Sequence, residues 1–254
     1  MNGLHQNTKR LAAVLDAVSA QAPRGVRQFE LVDLTGLGKG TLHRILAGLV
    51  ESDLLEFEAE TSRYYIGRKV MSWASAGRMH NSMVDNLRPA LDEIGAKTGD
   101  TVYLTYKHGN RATYVERVIG TYPLRSLPRE IGEQRPLGIG AGPLAMLAGM
   151  VEDAREATLR EIATDIRSYG ISEKTLRALV QRSLKLGYAL HDGEIQQGMV
   201  AIGLPLRKGP SIVGAISVAG TAERMPIDKH QGVIELVQDA VVSRNVGLVC
   251  QLNT

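Results

Sequence analysis

The chain has 254 residues, 44% of them hydrophobic, and 30 Lys/Arg against 27 Asp/Glu give a net charge of +3. That length carries two modest domains or one large one, with enough apolar residues for a sizeable core. A single Cys excludes an internal disulfide framework and a Cys-based zinc site; no apolar run approaches the ~18 residues of a membrane span and no secretory segment opens the chain, so a reducing cytoplasm without membrane contact is expected.

Residues 1–7 read as a loose polar arm. Thr8 is placed to cap a helix to about Gln21, with Leu11, Val14, Leu15 and Val18 as its buried stripe, and Pro23-Arg24-Gly25 ends it. Phe29, Leu31, Val32 and Leu34 fit a short second helix, and Gly36-Leu37-Gly38 a tight turn with Leu37 plugging the core. The next helix is the clearest: Leu42, Ile45, Leu46 and Leu49 recur at i, i+3, i+4 and i+7. Gly40, Thr41, His43, Arg44 and Ala47 fall on its other face, small or hydrogen-bonding groups suited to a DNA major groove. Leu55 and Phe57 alternate with Glu56 and Glu58, residues 59–62 turn, and Arg63-Tyr64-Tyr65-Ile66 returns as the second strand of a wing.

Gly36-Leu37-Gly38-Lys39-Gly40-Thr41 also has the look of a phosphate-cradling loop. The position five before Gly38 is Asp33 rather than Gly, Thr41 comes one place late, and Glu30 and Asp33 interrupt what a P-loop requires as a buried feeding strand. Charge does not decide for nucleic acid either, since residues 1–70 carry +1 and the remainder +2. The DNA reading rests on arrangement, and five acids between Glu51 and Glu60 stand against a wing that meets phosphate.

Arg68 to about Thr98 is again helical, in two pieces with a polar junction over Met79–Asn86 and Pro89 in the first turn of the second piece. Val102, Leu104 and Tyr106 alternate with polar residues, Gly109-Asn110 turns, and Ala112–Ile119 is the partner strand. Leu124-Arg125-Ser126 is a candidate third strand and Arg129–Gly142 a Gly/Pro-rich loop. Helices follow at about 143–150, 152–163 and 172–186, the last capped by Gly187. A strand begins at Tyr188–Leu190, and His191-Asp192-Gly193-Glu194 is a loop. Met199–Leu206 and Ile212–Val218 are sheet strands joined by a turn, and a last helix covers about 227–250. Strands early and late, joined by tight hairpins, predict an α+β class with an antiparallel sheet. The whole reads as a winged helix-turn-helix over residues 1–69, then a linker helix and a larger α+β domain over 70–254.

The order and spacing of several short motifs make the chain resemble the IclR family of bacterial transcriptional regulators. They are Thr35-Gly36-Leu37, the Thr41–Leu46 run, Leu49 and Tyr65-Ile66-Gly67 in the first part. In the second they are Arg135-Pro136-Leu137, Gly140-Ala141-Gly142, Leu147-Ala148, Gly187-Tyr188-Ala189, Glu194, Gly198, Ala201-Ile202 and Ile216-Ser217-Val218. The resemblance implies a winged-helix DNA-binding domain and a C-terminal effector-binding domain. It also implies dimers or dimers of dimers on palindromic double-stranded operators, and small organic acids as effectors. Carried over by motif, the effector pocket takes Ala141 and Gly142 from a loop and His191, Met199, Ala201, Ser217 and Ala219 from strands. Pro143-Leu144 replaces a Gly-Lys pair common in the family, and Ala201 and Ala219 replace Cys or Ser of some relatives. A pocket with fewer hydrogen-bonding groups favours an aromatic or branched acid over a very small polar one.

The expected DNA contacts are Lys39, Gly40, Thr41, His43 and Arg44 on the helix and Arg63 and Tyr64 in the wing, Lys39 and Thr41 toward phosphate and His43 or Arg44 toward bases. No catalytic residue, metal or cofactor is expected. Ser217 lies in a strand without a G-x-S-x-G turn, and His191, Asp192 and Glu194 lack further metal ligands. Gly138–Gly142 lacks the strand–helix setting of a dinucleotide loop. Two other readings stay open: a nucleotide-binding enzyme using Gly36–Thr41, and a ligand sensor acting through a protein partner.

Overall fold

The computed structural model describes residues 2–80, 83–122, 129–244 and 247–252. They form two compact units, Met1–Ser82 and Met83–Thr254.

The first unit runs α1 (Asn2–Ser19), β1 (Val26–Arg27), α2 (Gln28–Thr35), α3 (Lys39–Glu51), β2 (Leu55–Glu58), β3 (Arg63–Ile66) and α4 (Arg68–His80). Helix α1 starts at Asn2, so Thr8 lies inside it rather than capping it. Polarity alone does not stop a helix where no Pro intervenes. The spacing of Leu42, Leu46 and Leu49 does what periodicity requires: all three are buried against Val14 and Val18 of α1, Leu31 of α2 and Leu55 of β2. Burying each such side chain is worth about 1.5–3 kcal/mol. Gly36 ends α2 in the left-handed region at φ 66°, its N–H donating to the Val32 carbonyl, a conformation glycine adopts without a Cβ penalty. Leu37 packs into the core and Gly38 opens α3. The glycine loop is therefore fed by a helix and not by a strand, which removes the frame a P-loop needs.

The wing pairs Leu55 with Ile66 through Glu58 with Arg63. A third strand, β1, adds to the far side of β3, with Val26 opposite Tyr64. Two residues are too few to show alternation, so the sequence does not reveal it. Helix α4, the first piece of the linker region, belongs to this unit rather than to the second.

The second unit runs α5 (Met83–Thr98), β4 (Thr101–His108), β5 (Arg111–Val118), β6 (Gln134–Pro136), α6 (Ala141–Ala148), α7 (Glu152–Ile162), a 3₁₀ turn (Asp165–Tyr169) and α8 (Glu173–Leu186). It continues with β7 (Ala189–Asp192), β8 (Met199–Lys208), β9 (Ser211–Thr221), α9 (Ile227–Val242) and β10 (Val249–Cys250). All pairings are antiparallel, in the order β10-β8-β9-β4-β5-β6, and β7 shares the β8 edge with β10. Helices α5 and α9 cover one face through Leu87, Leu91, Ile94, Val237 and Val241. Helices α6, α7 and α8 cover the other through Leu144, Leu147, Leu159, Leu176 and Leu179.

Four expectations shift here. Pro89 sits in the interior of α5 and not in its first turn, because the helix begins at Met83. Leu124–Ser126 lies outside the described residues, and the third strand of the hairpin region is Gln134–Pro136, within the stretch expected to be loop. His191 and Asp192 belong to β7, because pairing with β8 carries that strand past Leu190. The last helix ends at Val242, and Val249–Cys250 pairs with Arg207 and Leu206 as an edge strand.

Candidate functional site

Two surfaces gather the sequence-predicted residues, one in each unit. In the first, the buried stripe of α3 turns Lys39, Gly40, His43 and Arg44 outward, all exposed, with Thr41 half-buried beside them. A Cβ on Gly40 would meet nothing within 4 Å, so the fold leaves that backbone open. Arg44 Nε lies 3.4 Å from the Gly40 carbonyl, which folds the guanidinium back along the helix toward its N-terminus. The first N–H groups of α3 have no intrahelical partner and present partial positive charge on the same side.

The wing residues are placed differently. Arg63 donates through Nη1 to the Gly25 carbonyl at 2.8 Å and lies 3.7 Å from Glu30. Tyr64 stacks on Phe57 with ring centroids 4.8 Å apart. Arg63 thus ties the wing to the start of α2, while Tyr64 packs across the two wing strands and against the core of the unit. Glu30 in turn accepts from the Arg27 N–H at 2.8 Å. That backbone hydrogen bond is the main cause of its lowered carboxyl pKa; burial opposes it, and the charges of Arg24, Arg63 and Arg27 assist.

In the second unit a cavity of about 100 Å³ opens between the sheet and the start of α6. Six of the seven predicted pocket residues line it: Ala141, His191, Met199, Ala201, Ser217 and Ala219. The strand registers explain why. His191 of β7 lies opposite Ala201 of β8, which lies opposite Ala219 of β9, while Ser217 lies opposite Tyr103 of β4. Gly142, the seventh, is one residue inside α6. A Cβ there would come 2.9 Å from Thr105 Oγ1 and 3.5 Å from Ser217 Oγ, so its bareness lets the first turn settle on the sheet. Gly203 serves the same contact from below, since a Cβ would fall 2.1 Å from the Ala141 carbonyl oxygen.

The polar groups of the cavity are few. His191 Nε2 lies 3.3 Å from the Gly138 carbonyl, which can only accept, so that nitrogen carries a proton. His191 Nδ1 is buried without a hydrogen bond and lies 3.6 Å from Glu194 Oε2. Glu194 is held by Arg182 Nη2 and the Asp192 N–H, each at 2.5 Å. Burial works against its ionisation, but the His191 imidazole, the N–H groups of Asp192 and Glu194 and the Arg182 charge prevail and keep the carboxyl at about 2.

Among the lining residues that sequence reasoning misses are Tyr103 and Tyr114, Arg129, and Ile195 with Gln196 from the β7–β8 loop. Tyr103 carried a signal, because alternation with Val102 and Leu104 already places it on the opposite face. Arg129 carried none beyond a basic side chain in a loop. Among the described residues no three metal-binding side chains gather, and no helix is long and apolar enough to cross a membrane.

Comparison with known proteins agrees with this geometry. Residues 79–244 match the family described as "Bacterial transcriptional regulator IclR C-terminal", and residues 8–59 match the "IclR helix-turn-helix domain". The HTH-type transcriptional regulator KipR of Bacillus subtilis is 30% identical over 226 residues, covering 86% of this chain and 88% of KipR. The HTH-type transcriptional regulator XynR of Escherichia coli is 25% identical over 250 residues, covering 95% and 97%. An IclR family transcriptional regulator from Brucella abortus has the same fold at TM-score 0.77, with 21% identity over 94% of this chain and 92% of that one. So does an IclR homolog from Microbacterium hydrocarbonoxydans complexed with 4-hydroxybenzoate, at TM-score 0.71, 18% identity and coverage of 95% and 98%. The chain belongs to the IclR family of bacterial DNA-binding transcriptional regulators.

Proposed function

We propose that the protein binds a palindromic DNA operator through paired copies of α3 and that a small organic acid in the cavity of the second unit controls this binding. The observation that carries the reading is the division of α3 into a buried leucine stripe and an open, basic N-terminal face. Lys39 and Thr41 at the helix start contact phosphate and fix register, while His43 and Arg44 reach base edges. Gly40 lets the duplex approach the backbone. Arg63 and Tyr64 act by bracing the wing, in keeping with their contacts to Gly25, Glu30 and Phe57. Two copies of the chain supply the two recognition helices that a two-fold operator requires.

Support for the acid comes from the cavity walls, mostly apolar with a few placed polar groups, and from the family homolog complexed with 4-hydroxybenzoate. The acid favours one arrangement of the paired chains over another, and its differential affinity sets the change in operator affinity.

The test is binding to duplexes from upstream of the protein's own gene and its neighbours, across a salt series, for wild type and Arg44→Ala. Wild-type binding weakens with salt, and Arg44→Ala loses about 1–3 kcal/mol at the preferred site together with its sequence preference. Absence of duplex binding at low salt, with and without candidate acids, would sink the operator reading and leave a sensor acting through a protein partner.

A further inference from the structure

The first unit holds a wider opening than the cavity of the second. A groove of about 430 Å³ runs between the start of α2, the start of α3 and the wing. Phe29 and Val32 line it from α2, and Phe57 and Tyr64 from the wing. Its basic residues are Arg27, just before α2, and Lys39, the first residue of α3.

The core of the unit does not use Phe29 or Phe57. Leu31 is the residue that α2 sinks into it, whereas Phe29 is 60% exposed and Phe57 43%. One exposed ring is ordinary, but two that line a common groove mark a contact surface. Phe57 is also turned away from the acids of the wing. It lies opposite Tyr64, which lies opposite Val26, and strand alternation sends Glu56 and Glu58 to the other face. Glu30, in the first turn of α2, is engaged by Arg24 at 3.3 Å and Arg63 at 3.7 Å. Among the described residues no carboxylate lies within ion-pair distance of Arg27 or Lys39.

A small molecule is enclosed by its site over most of its surface, and rings this exposed cannot enclose one. A polymer lying across the groove meets both. Lys39 belongs at once to the groove and to the outward face of α3, so a duplex seated on α3 continues into the groove. The part of B-DNA beside a helix in the major groove is the sugar–phosphate ridge that separates it from the next minor groove. We propose that the groove between α2 and the wing seats this ridge, with Arg27 and Lys39 on phosphates and Phe29 and Phe57 against deoxyribose. The inference rests on the operator reading above and widens the contact beyond α3. The wing then meets DNA through Phe57, while Arg63 stays engaged with Gly25 and Glu30.

The test is binding of the full-length protein to its preferred operator and to a duplex of unrelated sequence, across a salt series. Wild type, Arg27→Gln, Phe29→Ala and Arg44→Ala are compared, with phosphate-ethylation interference on the wild-type complex. A phosphate contact positions without specifying. Arg27→Gln therefore weakens both duplexes alike, by roughly tenfold, and lowers the salt slope by about 1. Phe29→Ala weakens both with the slope unchanged, and its melting temperature stays at the wild-type value because the ring lies outside the core. Arg44→Ala alone loses sequence preference. Ethylation of phosphates on the ridge flanking the bases read by α3 blocks wild-type binding. Wild-type affinity and slope in both Arg27→Gln and Phe29→Ala, while Arg44→Ala still loses preference, overturns the groove and leaves the operator reading standing. If a variant loses stability, the wild-type interference pattern decides, and no block from the flanking ridge overturns the groove. Absence of duplex binding by wild type at low salt removes the operator reading and the groove with it.

Discussion

The two faces of the seven-stranded sheet are built from alternate residues of the same strands, yet one is closed and the other holds a cavity. Toward α5 and α9 the strands send Val102, Leu104, Ile202, Leu204, Ile216 and Val218, all buried in one continuous cluster. Toward α6 they send Tyr103, Ala201, Ser217 and Ala219, which line open space. The run Ala201-Ile202-Gly203-Leu204 shows the device: small residues toward α6, large ones toward α5 and α9. A binding cavity here is a matter of side-chain size at every second position, with the opposite face left to supply stability. Helix α3 repeats the division at a period of 3.6, with leucines inward and Gly40, His43 and Arg44 outward.

If the closed face carries stability, Leu204→Ala gives the largest loss. Leu204 is 1% exposed, and truncation leaves a cavity in a packed core, costing about 2–5 kcal/mol. Chemical denaturation reads this directly, and a cost well under 1 kcal/mol would erase the distinction between the faces. Glu194→Gln, beside the cavity residue His191, has the next largest effect, and it depends on pH. A carboxyl held at about 2 when folded, against about 4.3 when unfolded, contributes stability that is present above the unfolded value. That contribution is lost as pH falls through the folded one. The difference in melting temperature between wild type and Glu194→Gln is therefore full at neutral pH, corresponding to on the order of 1–3 kcal/mol. It shrinks between about pH 4.3 and 2, and a gap that stays constant over that range would remove Glu194 as an ionised brace.

The two divisions were not equally legible in the sequence. The α3 face follows from four apolar residues within eight positions, a local pattern whose period is fixed by helix geometry. The cavity draws on segments from Tyr103 to Ala219, brought together by strand registers that no local pattern encodes. Ala201 and Ala219 carry no chemical signal, and only the family resemblance singles them out. Even so, alternation hid less than it could have. Tyr103 must oppose Val102 and Leu104, whereas the register shift between Leu104 and Thr105 puts Tyr114 beyond simple counting. The short strands β1, β6 and β10 escape because two or three residues cannot display a period. The contacts of Arg63 with Gly25 and Glu30 likewise join residues far apart in the chain, and no local pattern announces them.

Enlarging the open face has a smaller effect on stability. Ala219→Leu points into existing space, so the usual overpacking cost of about 1–3 kcal/mol falls to its lower end or below. Binding of the acid proposed for the cavity is lost nonetheless. Denaturation and calorimetry on the same variant separate the two effects, and a variant that still binds the acid would show that Ala219 does not face the ligand.

The smallest effect has the opposite sign and concerns α3. Gly40 lies in the first turn, where a Cβ meets nothing within 4 Å. Glycine within a helix costs roughly 0.5–1 kcal/mol relative to alanine, less near the helix end where the backbone is only partly fixed. Gly40→Ala therefore leaves thermal stability unchanged or raises it slightly. No packing requirement in the first unit accounts for a glycine there, and the proposed operator contact supplies one. On the outward face of α3 the extra methyl stands where the duplex would come closest, and operator affinity falls while the melting temperature does not. A variant that keeps both would place the duplex farther along the helix, toward His43 and Ala47. One that loses stability would mean that the N-terminal end of α3 is packed rather than open, and the division between its faces would fail.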